Sequence, residues 1–303
     1  MSLYRFKTFT TQYFFPEINS GEEYLYGLYS PFGGKLSRVY WYLFRKLRLV
    51  RGMTAVSISQ LPFPYQDIVN LVGDEAKMSF NMGSPGIEQK ISLLGLYTKR
   101  QETFFAKFSQ QQAARRLTIN EIEVYRKLQN THLVPKLYNH IITENYVFIQ
   151  TEYVSGVRPP CTKLDTKIIK LCLDLSHYQL SNSKTTDTGL ATCLSHGDFC
   201  PWNMLEQNEN IRLIDWEMAS DRPLGYDLFT FITQVAMLFH PEKALTEVIS
   251  ENISHINFYF SNFSIKDWSP YLHDFACKRK AYEDSKGNSL RSQKYDCIIN
   301  YHS

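Results

Sequence analysis

Residues 194–217 hold the side chains best suited to chemistry. Leu194-Ser195-His196-Gly197-Asp198-Phe199-Cys200-Pro201-Trp202-Asn203 is followed, after a short apolar stretch, by Leu213-Ile214-Asp215-Trp216-Glu217. A carboxylate and a carboxamide five positions apart, then a second carboxylate, can supply one base and two magnesium ligands. That trio is the minimal equipment for moving a phosphoryl group from a nucleotide to a hydroxyl. The plainer alternatives are a turn residue capping a local loop at Asp198 and a helix N-cap at Asn203.

Two upstream features bear on the same chemistry. Lys107 lies inside the apolar run Thr103-Phe104-Phe105-Ala106-Lys107-Phe108. A lysine alternating with Phe and Ala either points to solvent or emerges into a cleft where it grips phosphates. Gly83-Ser84-Pro85-Gly86 reads as a turn whose backbone N–H groups could cradle phosphates, although Pro85 has none to give. On its own it is a hairpin turn.

The elements that must position these groups follow from hydrophobic period. Lys77–Met82, Ile91–Tyr97, Thr103–Phe108, Leu137–Ile142 and Tyr146–Glu152 alternate as strands, with a helix from Arg115 to Gln129 after the third. From residue 156 the chain reads as mainly helical, with helices at Lys167–Leu180 and Tyr226–Phe239. The second is apolar almost all round and is expected at the centre of its lobe. Aromatic residues crowd the amino terminus, where 14 of the 44 in the chain lie in positions 4–44, so this segment can bury too much apolar surface to be a disordered tail. We divide the chain into an aromatic-rich, basic extension (1–76), a strand-rich lobe (77–155) and a helical lobe (156–303).

Net charge is +3, which sets up no global field for nucleic acid. Residues 1–55 carry eight Lys/Arg against three Glu, whereas 241–303 is balanced at eight of each sign. Leu36, Val39, Tyr40, Leu43, Phe44, Leu47 and Val50 repeat at helical spacing beside Lys35, Arg38, Arg45 and Arg48. This predicts an amphipathic helix over 35–51, docked on its own domain or laid on a membrane surface. The six cysteines form no Cys-x-x-Cys pair and no cluster at zinc spacing, and no signal-peptide pattern or apolar run of membrane-spanning length is present. A reduced, cytoplasmic protein is expected.

The catalytic stretch resembles the aminoglycoside phosphotransferase and choline kinase family over roughly residues 77–240. The resemblance rests on His196-Gly197-Asp198, Asn203 and Ile214-Asp215-Trp216-Glu217. It implies an α+β, bilobal protein-kinase-like fold: a five-stranded antiparallel N-lobe with one helix, a mainly helical C-lobe, and here an amino-terminal extension. It implies ATP and Mg²⁺ as cofactors, with Asp198 as catalytic base and Asn203 and Asp215 as metal ligands. Glu217 would touch metal through water or anchor the loop, and His196 would act as scaffold. Lys107 would hold α/β-phosphates, paired with Glu121. Two rivals stay open: Thr118 and Glu121 also spell a capping box, and Glu123 is two positions away. Gly83, Ser84 and Gly86 would form the nucleotide lid, and the main chain at Thr151 and Tyr153 would meet the base. Asp227 would cap the buried helix and brace the catalytic loop.

Departures from the pattern narrow the acceptor. Asp227 follows Asp215 by only 12 positions, too few for a long regulatory loop, and His196 is followed by Gly rather than Arg. An aminoglycoside, a polycation, calls for a carboxylate-rich pocket, which the balanced 241–303 region does not promise. The expected activity is transfer of a γ-phosphoryl group to a hydroxyl of a small molecule, sugar, or glycan or lipid-linked acceptor. The alternative is a kinase-like nucleotide-binding module, a pseudokinase or assembly partner with little transfer.

Overall fold

Alternation of apolar and polar residues in the first half of the chain produces one large antiparallel sheet. The computed structural model describes residues 2–8, 11–28, 39, 41–43, 53–159, 163–181, 185–207 and 210–301. It comprises two compact units, one of residues 1–129 and 135–154, the other of 130–134 and 155–303. In the first, strands β1 (Ser2–Lys7), β2 (Gln12–Phe15), β3 (Thr54–Ser57), β4 (Ala76–Asn81), β5 (Ile91–Tyr97), β6 (Glu102–Ser109), β7 (Leu137–Ile142) and β8 (Val147–Glu152) lie in the order β3-β1-β2-β4-β5-β6-β8-β7. Helix α1 (Tyr65–Val72) precedes β4, and α2 (Gln112–Leu128) follows β6.

The expected five strands and their inserted helix are all present, but the sheet has eight. Residues 1–76 do not stand apart: they contribute β1, β2 and β3, and β2 pairs with β4 through Tyr13↔Asn81 and Phe14↔Phe80. The cause is that both sheet faces are apolar and need cover. On one face Leu93, Phe104, Ala106 and Phe108 pack with Phe14, Phe80 and, from α1, Ile68 and Val72. On the other, Leu94 and Leu96 pack with Phe15, Ile18, Leu25, Tyr26 and Trp41. Leu25 and Tyr26 come from a 3₁₀ turn, Glu23–Leu28, secured to β4 by a Glu22–Lys77 ion pair at 2.6 Å.

The helix expected over 35–51 lies outside the described residues, apart from Val39 and Trp41–Leu43, which are helical. Among these, Trp41 is the buried one, whereas Val39 and Leu43 of the predicted stripe are about half exposed (53% and 47%).

The second unit is built around α4 (Tyr226–Phe239), whose residues 226–236 are all buried. The expectation of a helix apolar almost all round and central to its lobe holds. Phe229 stacks on Phe260 and packs on Phe275 at ring separations of 5.9 and 5.5 Å. Before it come α3 (Thr166–Leu175) and two short antiparallel pairs, β9 (Thr192–Ser195) with β12 (Ser220–Pro223), and β10 (Met204–Gln207) with β11 (Asn210–Leu213). After it come α5 (Leu245–Glu251), α6 (Ile253–Ser261), α7 (Ser269–Ser285), α8 (Ser289–Lys294) and α9 (Asp296–Tyr301). Helix α3 ends at Leu175 rather than Leu180 because the following backbone bonds elsewhere. Leu194 N–H donates to Tyr178 O, and the amides of Leu180 and Ser181 donate to the Asp221 carboxylate.

Gly95 marks where the sheet admits no side chain. It pairs with Phe104, and a Cβ at this position would lie 2.0 Å from the Phe104 ring. Gly95→Ala is expected to destabilise the chain by about 1–3 kcal/mol in denaturant unfolding, and Phe104→Leu in the same chain to recover part of that loss.

Candidate functional site

Lys107 lies in β6 and Glu121 in α2. The lysine Nζ donates to both carboxylate oxygens, at 2.9 and 2.7 Å, with the two residues only 6% and 2% exposed. The rivals fall away on position. Thr118 lies within α2 rather than at its start, and its hydroxyl donates to Ala114 O and shares a bond with Ser109. Glu123 is exposed. Residues two apart on a strand share a face, so the register of β5, β6 and β8 places Phe105, Lys107, Leu94, Ile149 and Thr151 on one side of the sheet.

That side is the one predicted to meet a nucleotide, and part of it is already covered. Leu94 and Leu96 are 1% and 2% exposed beneath Leu25 and Tyr26. Tyr153, beyond the end of β8, packs against the same cluster, its ring 6.3 Å from that of Tyr24. Burial, with the Glu22 charge and Tyr153 beside it, pushes the Tyr24 hydroxyl well above the ordinary tyrosine range, so it remains a neutral phenol. Thr151 is buried, and Gln150 donates to the Tyr97 hydroxyl at 2.8 Å on the opposite face. The role of residues 12–28 here was missed by sequence reasoning; the aromatic crowding was its only signal.

The Gly83–Gly86 turn joins β4 to β5, with Ser84 and Gly86 exposed. Its first amide is engaged: Gly83 N–H donates to Asn81 Oδ1 at 2.9 Å. The Thr11 hydroxyl lies 3.0 Å from that oxygen and donates to Gly83 O at 2.7 Å. Gly83 has φ +66°, and a Cβ there would come within 2.7 Å of Lys90 O. The predicted lid is therefore held open-ended, fastened at its base with its tip in solvent.

The acid-rich stretch in the second unit is organised by Asp227. Its carboxylate accepts from the Ser195 hydroxyl and His196 N–H, both at 2.7 Å, and from Gly197 N–H at 3.1 Å. The bracing role is seen, but the capping role is not, since no side chain caps α4 and Gly225 occupies its N-cap. His196, fully buried, bonds Ile214 O through Nε2 at 3.0 Å and accepts from Asp198 N–H through Nδ1 at 3.3 Å. It is a strut between the two halves of the motif.

These struts fix the reactive groups. Asn203, 6% exposed, donates from Nδ2 to both the backbone oxygen and Oδ2 of Asp198 at 2.9 Å, leaving its own Oδ1 as the atom for a cation. Cys200 Sγ lies 3.5 Å from Asp198 Oδ1. Burial and the adjacent Asp198 charge push that thiol far up, so it stays protonated and donates. Asp215 has φ 68° and ψ 57°, the left-handed region uncommon for residues other than glycine. Such strain is characteristic of functional positions. Glu217 is half-buried in the 3₁₀ turn Trp216–Met218 that follows. Asn203, Asp215 and Glu217 each carry a hard oxygen donor of the kind that suits Mg²⁺, and the acid oxygens of Asp215 and Glu217 lie within 4.8 Å of one another.

Comparison with known proteins gives a family match over part of the chain and likenesses in fold. Residues 176–247 match the model of the phosphotransferase enzyme family. A structure of amicoumacin kinase in complex with AMP-PNP, Ca²⁺ and Ami is similar at TM-score 0.53 and 12% identity, over 77% of this chain and 94% of that one. A structure of aminoglycoside-3'-phosphotransferase of type VIII aligns at TM-score 0.43 and 13% identity, over 70% and 88%. No curated protein matches the sequence. The fold is thus α+β and protein-kinase-like, of the kind found in phosphotransferases. The family-model match takes in His196, Asp198, Asn203, Asp215 and Glu217, the residues on which the resemblance to that family rests. Among the described residues no helix is long and apolar enough to cross a membrane.

Two stability tests follow from the geometry. Glu121→Ala removes the bidentate partner of a buried ammonium and is expected to cost about 3–5 kcal/mol in denaturant unfolding, whereas the apolar pair Lys107→Met with Glu121→Leu should stay close to the parent. Asp215→Gly relieves a left-handed backbone, so unfolding stability should rise by about 1 kcal/mol in the absence of ligands.

Proposed function

We propose that this protein is an ATP- and Mg²⁺-dependent phosphotransferase that moves the γ-phosphoryl group to a hydroxyl of a small-molecule acceptor. The observation that carries the reading is the Asp198–Asn203 arrangement. One carboxamide fixes the carboxylate through two hydrogen bonds and keeps an oxygen of its own for a cation. In the reaction the acceptor oxygen bonds to phosphorus while the bond to the β-phosphate oxygen breaks, and ADP leaves. The acceptor proton passes to Asp198, whose second oxygen lies beside a neutral thiol rather than a competing anion. Mg²⁺, held by Asn203, Asp215 and Glu217, would offset the phosphate charge. Lys107, kept extended by Glu121, supplies a second fixed positive charge for the phosphates.

The nucleotide is read as lying beneath Gly83, Ser84 and Gly86, with its base near Thr151 and Tyr153. Co-crystallisation of amicoumacin kinase with AMP-PNP and Ca²⁺ supports nucleotide and divalent-metal use. A sugar or glycan hydroxyl fits the balanced charge of residues 241–303 better than a polycation does. A second reading, a nucleotide-binding module with little transfer, is favoured by one observation: Leu94 and Leu96 on the nucleotide side are covered by the chain's own Leu25 and Tyr26.

Labelled ATP with a panel of hydroxyl acceptors separates the readings. Acceptor-dependent transfer should appear with Mg²⁺ and fall about 10²–10⁴-fold in Asp198→Ala. Undiminished transfer in that variant would remove Asp198 from the chemistry. Nucleotide binding without any turnover would favour the module.

A further inference from the structure

We propose that the acceptor is anionic, and that a basic cavity next to the catalytic loop holds its phosphate or carboxylate group. This rests on the phosphotransferase reading and adds the substrate class. The cavity, of about 300 Å³, lies within the second unit and is lined by Met218, Arg222, Tyr226, Lys278, Arg279 and Tyr282, among others. It adjoins the chemistry through both halves of the motif. Met218 follows Glu217 directly, and the Arg222 guanidinium donates to Met218 O at 3.0 Å. A Cβ on Gly197, the residue before Asp198, would lie 3.0 Å from that same Arg222 nitrogen. A group resting on Arg222 is therefore close to the catalytic loop.

The lining itself holds three cations, Arg222, Lys278 and Arg279, against one carboxylate, Asp221. Its one carboxylate, Asp221, is occupied: one oxygen accepts from Leu180 N–H at 2.7 Å and the other from Ser181 N–H at 2.6 Å. Lys278 pairs with Asp274 at 2.9 Å, and Arg279 with Glu283 at 3.2 Å. Among the described residues the groups that Arg222, half-buried, bonds are neutral: the Ser220 hydroxyl, Met218 O and the face of Tyr226 at 4.3 Å. Arg279 is 4% exposed, and its Nε–H has no hydrogen-bond partner among the described residues. Holding a half-buried guanidinium without an anion, and leaving a buried N–H unmet, both cost stability. An incoming oxyanion would satisfy both, and guanidinium groups match phosphate and carboxylate geometry.

The plain alternative makes Arg222 a strut for residues 218–222 and Lys278 a surface lysine. The two are separated without catalysis by titrating inorganic phosphate into the full chain by calorimetry, with AMP-PNP and Mg²⁺ present to fill any nucleotide site. Phosphate is expected to bind, and about tenfold more weakly in Arg222→Gln and in Lys278→Gln, with exposed Lys266→Gln as the unchanged control. Lys278 lies on the exposed side of α7, so its variant remains readable if Arg222→Gln fails to fold. In transfer assays, glucose 6-phosphate and glucuronate should outperform glucose and glucosamine, the first two arms distinguishing phosphate from carboxylate. Phosphate binding without transfer to any acceptor would sink the enzymatic reading and leave the anion site standing. Absence of phosphate binding, binding equal in all variants, or transfer to glucose or glucosamine that neither variant alters would overturn the anionic acceptor.

Discussion

One buried carboxylate holds the stretch around residues 195–203 in shape. Asp227 collects a hydroxyl and two consecutive backbone N–H groups from residues 195–197, and so dictates where the chain turns before Asp198. Gly197 is required at that turn: its φ is +83°, and a Cβ would sit 2.3 Å from Met218 O. The close approach brings the loops before and after the β10–β11 pair into contact, and His196 ties them again through Ile214 O. Asp198 and Asn203 inherit their positions from this scaffold, and Asp215 sits at its far end in a backbone state that few residues tolerate. The carboxylate itself never needs to touch a substrate.

The first unit solves a different problem. A lysine usable for phosphate must be kept straight and charged inside an apolar sheet, and a buried ion pair does so only when desolvation is offset by close contact. The bidentate Glu121 contact meets that condition. It also ties α2 to β6, so the position of the helix and the reach of the lysine are linked.

The elements most legible in the sequence were those with strong period and nearby punctuation. The spans of β5, β7 and α4 agree with the expectation to the residue, because alternation or all-round apolarity runs unbroken between turn residues. The pairing of Lys107 with Glu121 was legible through the resemblance to the family, whose pattern places the partner seven residues before Leu128. What was not legible depended on partners distant in sequence. Residues 1–76 were read as an extension because their strands are short and interrupted, and nothing local reveals that Phe14 pairs with Phe80. The early end of α3 follows from bonds made to Asp221, 41 and 40 positions beyond Leu180 and Ser181. Of the stripe predicted over 35–51, Val39 and Leu43 are the described positions and are about half exposed, while Trp41, off the stripe, packs its ring against Phe6, Phe15 and Tyr26.

The added amino-terminal strands also change where the sheet ends. With five strands, β4 would present a six-residue, largely buried row as an open margin, an invitation to pairing with another chain. Because β2 occupies that position, the margin moves outward to β3, which is four residues long and exposed at three of them. A short, solvated border of this kind is a poor template for strand addition, so the hairpin that roofs Leu94 also guards the sheet against self-association.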